Sequence, residues 1–420
     1  MSLLIKGGRV IDPASGRDEI GDVFVDKGRI AEKKGKAEET IDARGLVVAP
    51  GLIDLAARLR EPGQEYKATL ASEMDAAVAG GVTSLACPPD THPPLDEPGL
   101  VDMLRRRAKA LARARVYPVG ALTVKLAGER LTEMSVLSEA GCVAFSQANV
   151  PITDTQVLWR ALQYAATFGY PVWLRAEDKW LSREGVAHDG DMATRLGLAG
   201  IPAFTETIAL ATILQLVRAT GARVHVCRLS SAAAVGMMRE AKQQGLPVTC
   251  DVGIHYVHLS EMDLGYYDAH CRLDPPLRSQ RDRDALASGL ADGSIDCAVS
   301  DHAPVDEDQK QLPFAEAETG ATGLELLLPL ALKWGSARKL PLARTLARVT
   351  SDAARILGVQ SGRIAPGAPA DLVLFDPDEA WRVMPAALRS QGKNSPFLGY
   401  ELAGRVRATI VAGNVVYERK

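Results

Sequence analysis

An α/β fold built on a (β/α)₈ barrel, with β-rich segments at both chain ends, is the class the sequence predicts. Three observations predict it. Strand-like apolar runs alternate with helix-period segments across residues 51–355. Residues 1–50 and 356–420 carry short β-like runs broken by glycine-containing turns. The 420 residues suffice for one large core and a smaller companion.

Taken in order, Leu3, Leu4 and Ile5, then 22–25, then 46–48 read as strands. The alternating region begins at Leu52 and Ile53. It continues with runs at 82–86, 116–119, 143–145, 172–174, 224–227, 248–250 and 295–299. Helical periodicity fills gaps such as 155–166, 207–219 and 232–243, the last stopped by Gly245 ahead of Pro247. Such alternation fits a closed barrel better than an open sheet, although no glycine fingerprint excludes the open form. Strand-like runs return at 371–375, 406–411 and 415–417.

The bulk properties exclude several classes of function. With 47% hydrophobic and 24% charged residues, the chain reads as an ordinary globular protein. A net charge of −3 gives no sign of a nucleic-acid or membrane surface. Arg105, Arg106 and Arg107, followed by Lys109, Arg113 and Arg115, lie on an Ala/Leu-rich helical stretch without aromatic interleaving. They read as a solvated helix face. No signal peptide or membrane-length apolar run is present, and six scattered cysteines lack metal-binding spacing, so a cytoplasmic, reduced protein is expected.

The most informative segment is Pro50-Gly51-Leu52-Ile53-Asp54-Leu55-Ala56-Ala57-Arg58-Leu59-Arg60-Glu61-Pro62-Gly63. It resembles the signature of the dihydroorotase branch of the amidohydrolase superfamily, Pro-Gly-Leu-Ile-Asp-x-His-x-His-x-Arg-x-Pro-Gly. The run from Gly362 to Phe375 resembles the same family. The resemblance implies a barrel beside a small β-sandwich built from both chain ends. It also implies a zinc site of histidines, an aspartate and a carbamylated lysine or second aspartate, in which metal-bound hydroxide attacks a ring amide.

Carried over position by position, that ligand set is largely gone. The two zinc-binding histidines of the signature fall at Ala56 and Arg58, and the anionic ligand of strand four falls in Ser146-Gln147-Ala148-Asn149, at Ala148. The strand-five histidine is Arg175, and the ligand histidine of strand six is Arg228. Only Asp301, in Asp301-His302-Ala303-Pro304, remains. Arginine keeps its proton and offers a metal no lone pair. A divalent ion about 4 Å from one guanidinium is repelled by roughly 8 kcal/mol at an effective dielectric near 20. Hydroxide drawn from ordinary rather than metal-bound water costs about 12 kcal/mol more at neutral pH. None of the seven histidines forms a rebuilt metal motif, so no zinc or other cofactor is expected.

Substrate positions change in the same direction. Arg60 matches the family's carboxylate-binding arginine, and His255 falls in a segment resembling the family's Pro-His-His-Leu. Asp90 and Asp274 stand where asparagines are expected, replacing neutral donors by anions that only accept. His302 completes the set of substrate-site remnants. Three new arginines and the anions Asp90, Asp274 and Asp301 suggest an ion-pair network filling the barrel mouth; the alternative is drift, with the arginines pointing to water. Ser230 and Ser231 beside His225, Lys310, and the Gly320–Gly323 run lack the partners of a nucleophile or phosphate loop and read as structural.

The chain therefore most resembles the pseudo-dihydroorotase group. This implies a non-catalytic member of the pyrimidine-biosynthesis machinery, acting as scaffold for the aspartate transcarbamoylase catalytic chain within an oligomer. Two other readings stand: an active metal-dependent cyclic amidohydrolase with an atypical site, and a regulatory subunit whose arginine-rich pocket binds an anion or nucleotide.

Overall fold

The computed structural model describes residues 2–32 and 37–419. Five strands open the chain: β1 (Ser2–Asp12), β2 (Arg17–Asp26), β3 (Arg29–Ala31), β4 (Glu39–Asp42) and β5 (Val47–Pro50). The barrel follows with β6 (Leu52–Asp54), β7 (Val82–Cys87), β8 (Arg115–Ala121), β9 (Ala144–Ser146) and β10 (Val172–Arg175). A two-stranded pair, β11 (Ala187–His188) and β12 (Gly200–Ile201), sits in the long loop after β10. Barrel strands β13 (Val224–Cys227), β14 (Val248–Gly253) and β15 (Cys297–Val299) complete the eight, and β16 (Leu372–Arg382), β17 (Glu401–Val411) and β18 (Asn414–Glu418) end the chain.

The barrel strands run parallel in sequence order from β6 to β15. The open-sheet alternative is excluded by a bridge between the first and last strands just beyond their ends. There the Arg58 N–H donates to the His302 carbonyl (2.9 Å) and the His302 N–H to the Ala56 carbonyl (3.0 Å). β7 is buried at every residue, as expected of a parallel strand covered on both faces. Helix starts follow their caps: Asp154 accepts from Gln156 and Val157 ahead of Thr155–Phe168, and Ser231 accepts from Ala234 ahead of Ala232–Gln243.

The two chain ends meet where β5 pairs antiparallel with β16. They form one continuous eight-stranded sheet, ordered β18-β17-β16-β5-β1-β2-β3 with β4 on β1. Its core gathers Leu3, Val10 and Val25 from one end with Leu372, Leu374 and Ile410 from the other. Strand β1 changes partner midway, pairing with β4 through Lys6 and with β5 from Arg9. Gly8 lies at this switch, where a Cβ would meet the Val48 side chain at 2.6 Å.

A C-terminal strap ties this sheet to the barrel mouth. Ser390 and Gln391 donate to the buried Glu73 carboxylate (2.6 and 2.9 Å). The Asn394 amide donates to the Ala303 and Gly320 carbonyls and its oxygen accepts from the Val305 N–H, all at 3.0 Å. The loop after β15 is thereby fixed in place. All six cysteines are free thiols, and among the described residues no helix is long and apolar enough to cross a membrane.

Candidate functional site at the barrel mouth

The side chains singled out in the sequence leave the C-terminal ends of the barrel strands, where barrels of this kind place their sites. In the loops that follow the barrel strands, Arg60 (φ 60°), Ala148 (φ 50°), Arg228 (φ 56°) and Asp301 (φ 45°) are among the non-glycine residues that adopt left-handed backbone. Each such residue costs on the order of 1 kcal/mol or more and persists only when its surroundings over-determine it. For Arg228 and Asp301 the surroundings are a ring of ion pairs.

Arg58, buried to 7% exposure, donates from Nε to Asp90 (2.7 Å), from Nη1 to Asp301 Oδ1 (3.3 Å) and from Nη2 to Asn149 Oδ1 (2.9 Å). Arg228 reaches the same Asp301 oxygen at 3.4 Å, the Asp274 carbonyl at 3.1 Å, and Asn149 Oδ1. Arg175 binds Asp274 bidentately, both contacts at 2.5 Å, and pairs with Glu177 at 2.8 Å. Asn149 links the two halves by donating from Nδ2 to Asp274 (3.3 Å). None of the three guanidiniums points to bulk water; each lies against a carboxylate.

Charges follow the geometry. Burial pushes Asp90 and Asp274 up, but Arg58 for the first, and Arg175 with Arg228 for the second, hold both below the ordinary carboxylate value. Burial works against the Arg58 and Arg228 cations, yet the facing carboxylates leave both above the usual guanidinium value. His255 is driven the other way: burial lowers it to about 4, and its Nε2 has no partner within the protein.

These shifts carry a pH signature. An aspartate whose folded pKa is depressed contributes stability above its unfolded value near 3.8, and that stability is lost as pH falls through the folded value. The stability gap between the wild type and an Asp274→Asn variant is therefore expected to stay constant from pH 7 to 5 and to shrink below about pH 4. Urea titrations of both proteins across that range measure it; a gap that closes already at pH 6 contradicts the assignment.

Other predicted residues are placed differently. Arg60 spends its guanidinium on the Pro304 carbonyl (2.8 Å) and Gln64 (3.1 Å), with Glu318 at 4.0 Å, and lines the mouth without an open fork for a carboxylate. His302, placed among the substrate-site remnants by sequence, is turned away from the mouth and fully buried. Its Nδ1 accepts from the Gly323 N–H (3.1 Å), so the proton sits on Nε2 and is donated to Glu73 at 2.7 Å. Its part is to close the barrel and anchor the strap. Ala56 and Ala148 are small buried side chains in apolar clusters, Ala148 against Ala121 and Leu126. Asn149, Glu177 and Glu318 were assigned no role from sequence, although Asn149 directly follows the position of the missing anionic ligand.

The residues at the mouth do not fit the metal that the fold family implies. Ala56, Arg58, Ala148, Arg175 and Arg228 offer no lone pair, and Asp301 is held by two guanidiniums. One deeper cluster, His225, Cys227 and Asp251, brings three donors within 4.8 Å of one another. The His225 nitrogens are already bonded to Thr249 (2.8 Å) and Asp251 (2.9 Å), and burial raises the Cys227 thiol well above its ordinary value. That cluster is a hydrogen-bonded core.

The space left is small. A cavity of about 140 Å³ lies among Arg58, Arg60, Arg228, Asp274, Asp301 and Glu318, and a second of about 130 Å³ lies beyond Asn149 and Arg175. Both fall short of the ~300 Å³ at which small-molecule sites begin. Three cations and three anions line the first, so its charge is balanced before any ligand enters.

Comparison with known proteins accords with this architecture. Residues 45–234 match the family described as dihydro-orotase-like, and residues 200–417 match the amidohydrolase family. A dihydroorotase-like protein of Pseudomonas aeruginosa is 43% identical over the whole of both chains. A protein named dihydroorotase from Trichlorobacter lovleyi is 42% identical over 99% of each. Among solved structures, the L-hydantoinase (dihydropyrimidinase) of Arthrobacter aurescens superposes with a TM-score of 0.88 at 25% identity, covering 99% of this chain and 96% of that one.

Proposed function

This chain belongs to the dihydroorotase-like family of amidohydrolases, and from that premise we propose that it is a non-catalytic member whose mouth has become a structural ion-pair network. Its role in this reading is a scaffold subunit for the aspartate transcarbamoylase catalytic chain. One observation carries the loss of chemistry: Arg58, Arg175 and Arg228 occupy the histidine positions and are bound to Asp90, Asp274 and Asp301. Permanent cations locked to carboxylates supply the positive charge that a metal would bring, without an exchangeable ligand.

The partner is tested by producing this chain with and without the transcarbamoylase chain of its own source and following both by size-exclusion chromatography. Co-migration, with transcarbamoylase activity or stability raised by the pairing, is expected. Independent migration of two fully active proteins overturns the scaffold role. A second reading, an active cyclic amidohydrolase, is favoured by relatives that bear the name dihydroorotase at 41–42% identity and by the retained Asp301. It requires bound metal and turnover.

A further inference from the structure

The basic helix face read from sequence as simply solvated is part of a groove. Helix Pro98–Leu111 lies along β8 near β17 and β18, leaving a hollow of about 570 Å³. Its floor is apolar, formed by Ala108, Ala114, Val116, Val411 and Val416. Its rim carries Arg105, Arg106, Lys109, Arg113 and Arg115 against one carboxylate, Asp102. A second hollow of about 600 Å³ continues through Arg115, Ala412 and Asn414 and adds Lys27 and Arg29 without any acid. Seven cations and one anion thus line one continuous groove in a chain whose net charge is −3.

Part of that charge is already spent. Arg113 pairs with Asp75 and Arg115 with Asp371, while Arg105 donates to the Ala140 carbonyl. Among the described residues no ion pair is made to Arg106 or Lys109, which are exposed and one helical turn apart. Their spacing matches acidic residues one turn apart on a facing helix.

We propose that this groove, formed by helix Pro98–Leu111, β8 and the β17–β18 edge, docks an acidic amphipathic segment of a partner protein. The apolar floor takes its hydrophobic side chains and the rim takes its carboxylates. Charge selects the sign of the occupant, and the floor selects a peptide over a nucleic acid, because the first hollow presents no aromatic ring on which a base could stack. The inference does not depend on the identity of the partner, so its failure leaves the ion-pair reading of the mouth untouched.

Fluorescence anisotropy of a labelled helical peptide, leucine on one face and glutamate on the other, titrated with the full chain, tests the proposal. Saturable binding is expected, weakened by about tenfold or more in an Arg106→Glu/Lys109→Glu variant and further at high salt. These two side chains are solvent-exposed, so the variant is expected to fold; Val416→Asp is the matching test of the floor, checked by circular dichroism. Equal binding of a lysine-for-glutamate peptide, no saturation by the acidic peptide, or tighter binding of a single-stranded oligonucleotide each overturns the proposal.

Discussion

Produced in zinc-supplemented medium and purified without chelator, the chain is expected to hold no stoichiometric zinc. It is also expected neither to open dihydroorotate nor to close carbamoyl-aspartate at a measurable rate. The donor set decides the first point, since Arg58, Arg175 and Arg228 have no lone pairs and each is already bonded to a carboxylate. The second follows from the nucleophile. Water that is not metal-bound must give up its proton at a cost of about 12 kcal/mol more, or roughly 10⁹-fold in rate. His255 cannot close that gap as a general base, because general acid–base catalysis contributes only about 10²–10⁴-fold.

Substrate binding is expected to fail independently. Asp90 and Asp274 present anions toward an anionic substrate, and Arg60 is committed to the Pro304 carbonyl. Restoring a single histidine at position 58 should therefore recover neither metal nor turnover, because Arg175 and Arg228 remain. Mass spectrometry of metal content together with a carbamoyl-aspartate cyclisation assay at pH 6 measures both. Bound zinc near one equivalent with real turnover would establish the active reading and remove the scaffold one.

How far the sequence could be read differs sharply between backbone and site. The eight barrel strands stand out because parallel strands covered on both faces favour near-continuous apolar runs, as in Val172-Trp173-Leu174. The strands that escape notice, β3, β4, β11 and β12, are two to four residues long, and β4 has the polar, mostly exposed sequence Glu-Thr-Ile-Asp. Nothing in their composition distinguishes them from turns. At the mouth, the arginines are legible because they stand in a motif whose other residues survive. Their partners are less so. Asn149 becomes the hub between Arg58, Arg228 and Asp274 only because Ala148 takes a left-handed turn and aims it inward. His302 faces Glu73, 229 residues away in the chain, an orientation that no local pattern encodes.

Asp301→Asn is expected to cost about 3–5 kcal/mol of stability, the range for breaking a buried ion pair by removing one partner. Asp301 is buried, and one of its oxygens faces both Arg58 (3.3 Å) and Arg228 (3.4 Å). Arg58 keeps Asp90 when that charge is removed. Arg228 keeps only the Asn149 amide oxygen and the Asp274 carbonyl as direct partners, so a buried cation is left undercompensated. Adding Arg228→Met should recover much of the loss, because an uncharged side chain of similar length no longer needs the anion. A double-mutant cycle should show a coupling of about 1–3 kcal/mol. Urea midpoints of the four proteins at pH 7 measure this. In a hydrolase the same aspartate would also be a proton acceptor, and its replacement would abolish a measurable turnover in addition to lowering the midpoint. The two readings of the mouth thus share the cost in folding and differ in rate, so turnover measured on the wild type beside the same substitution separates them.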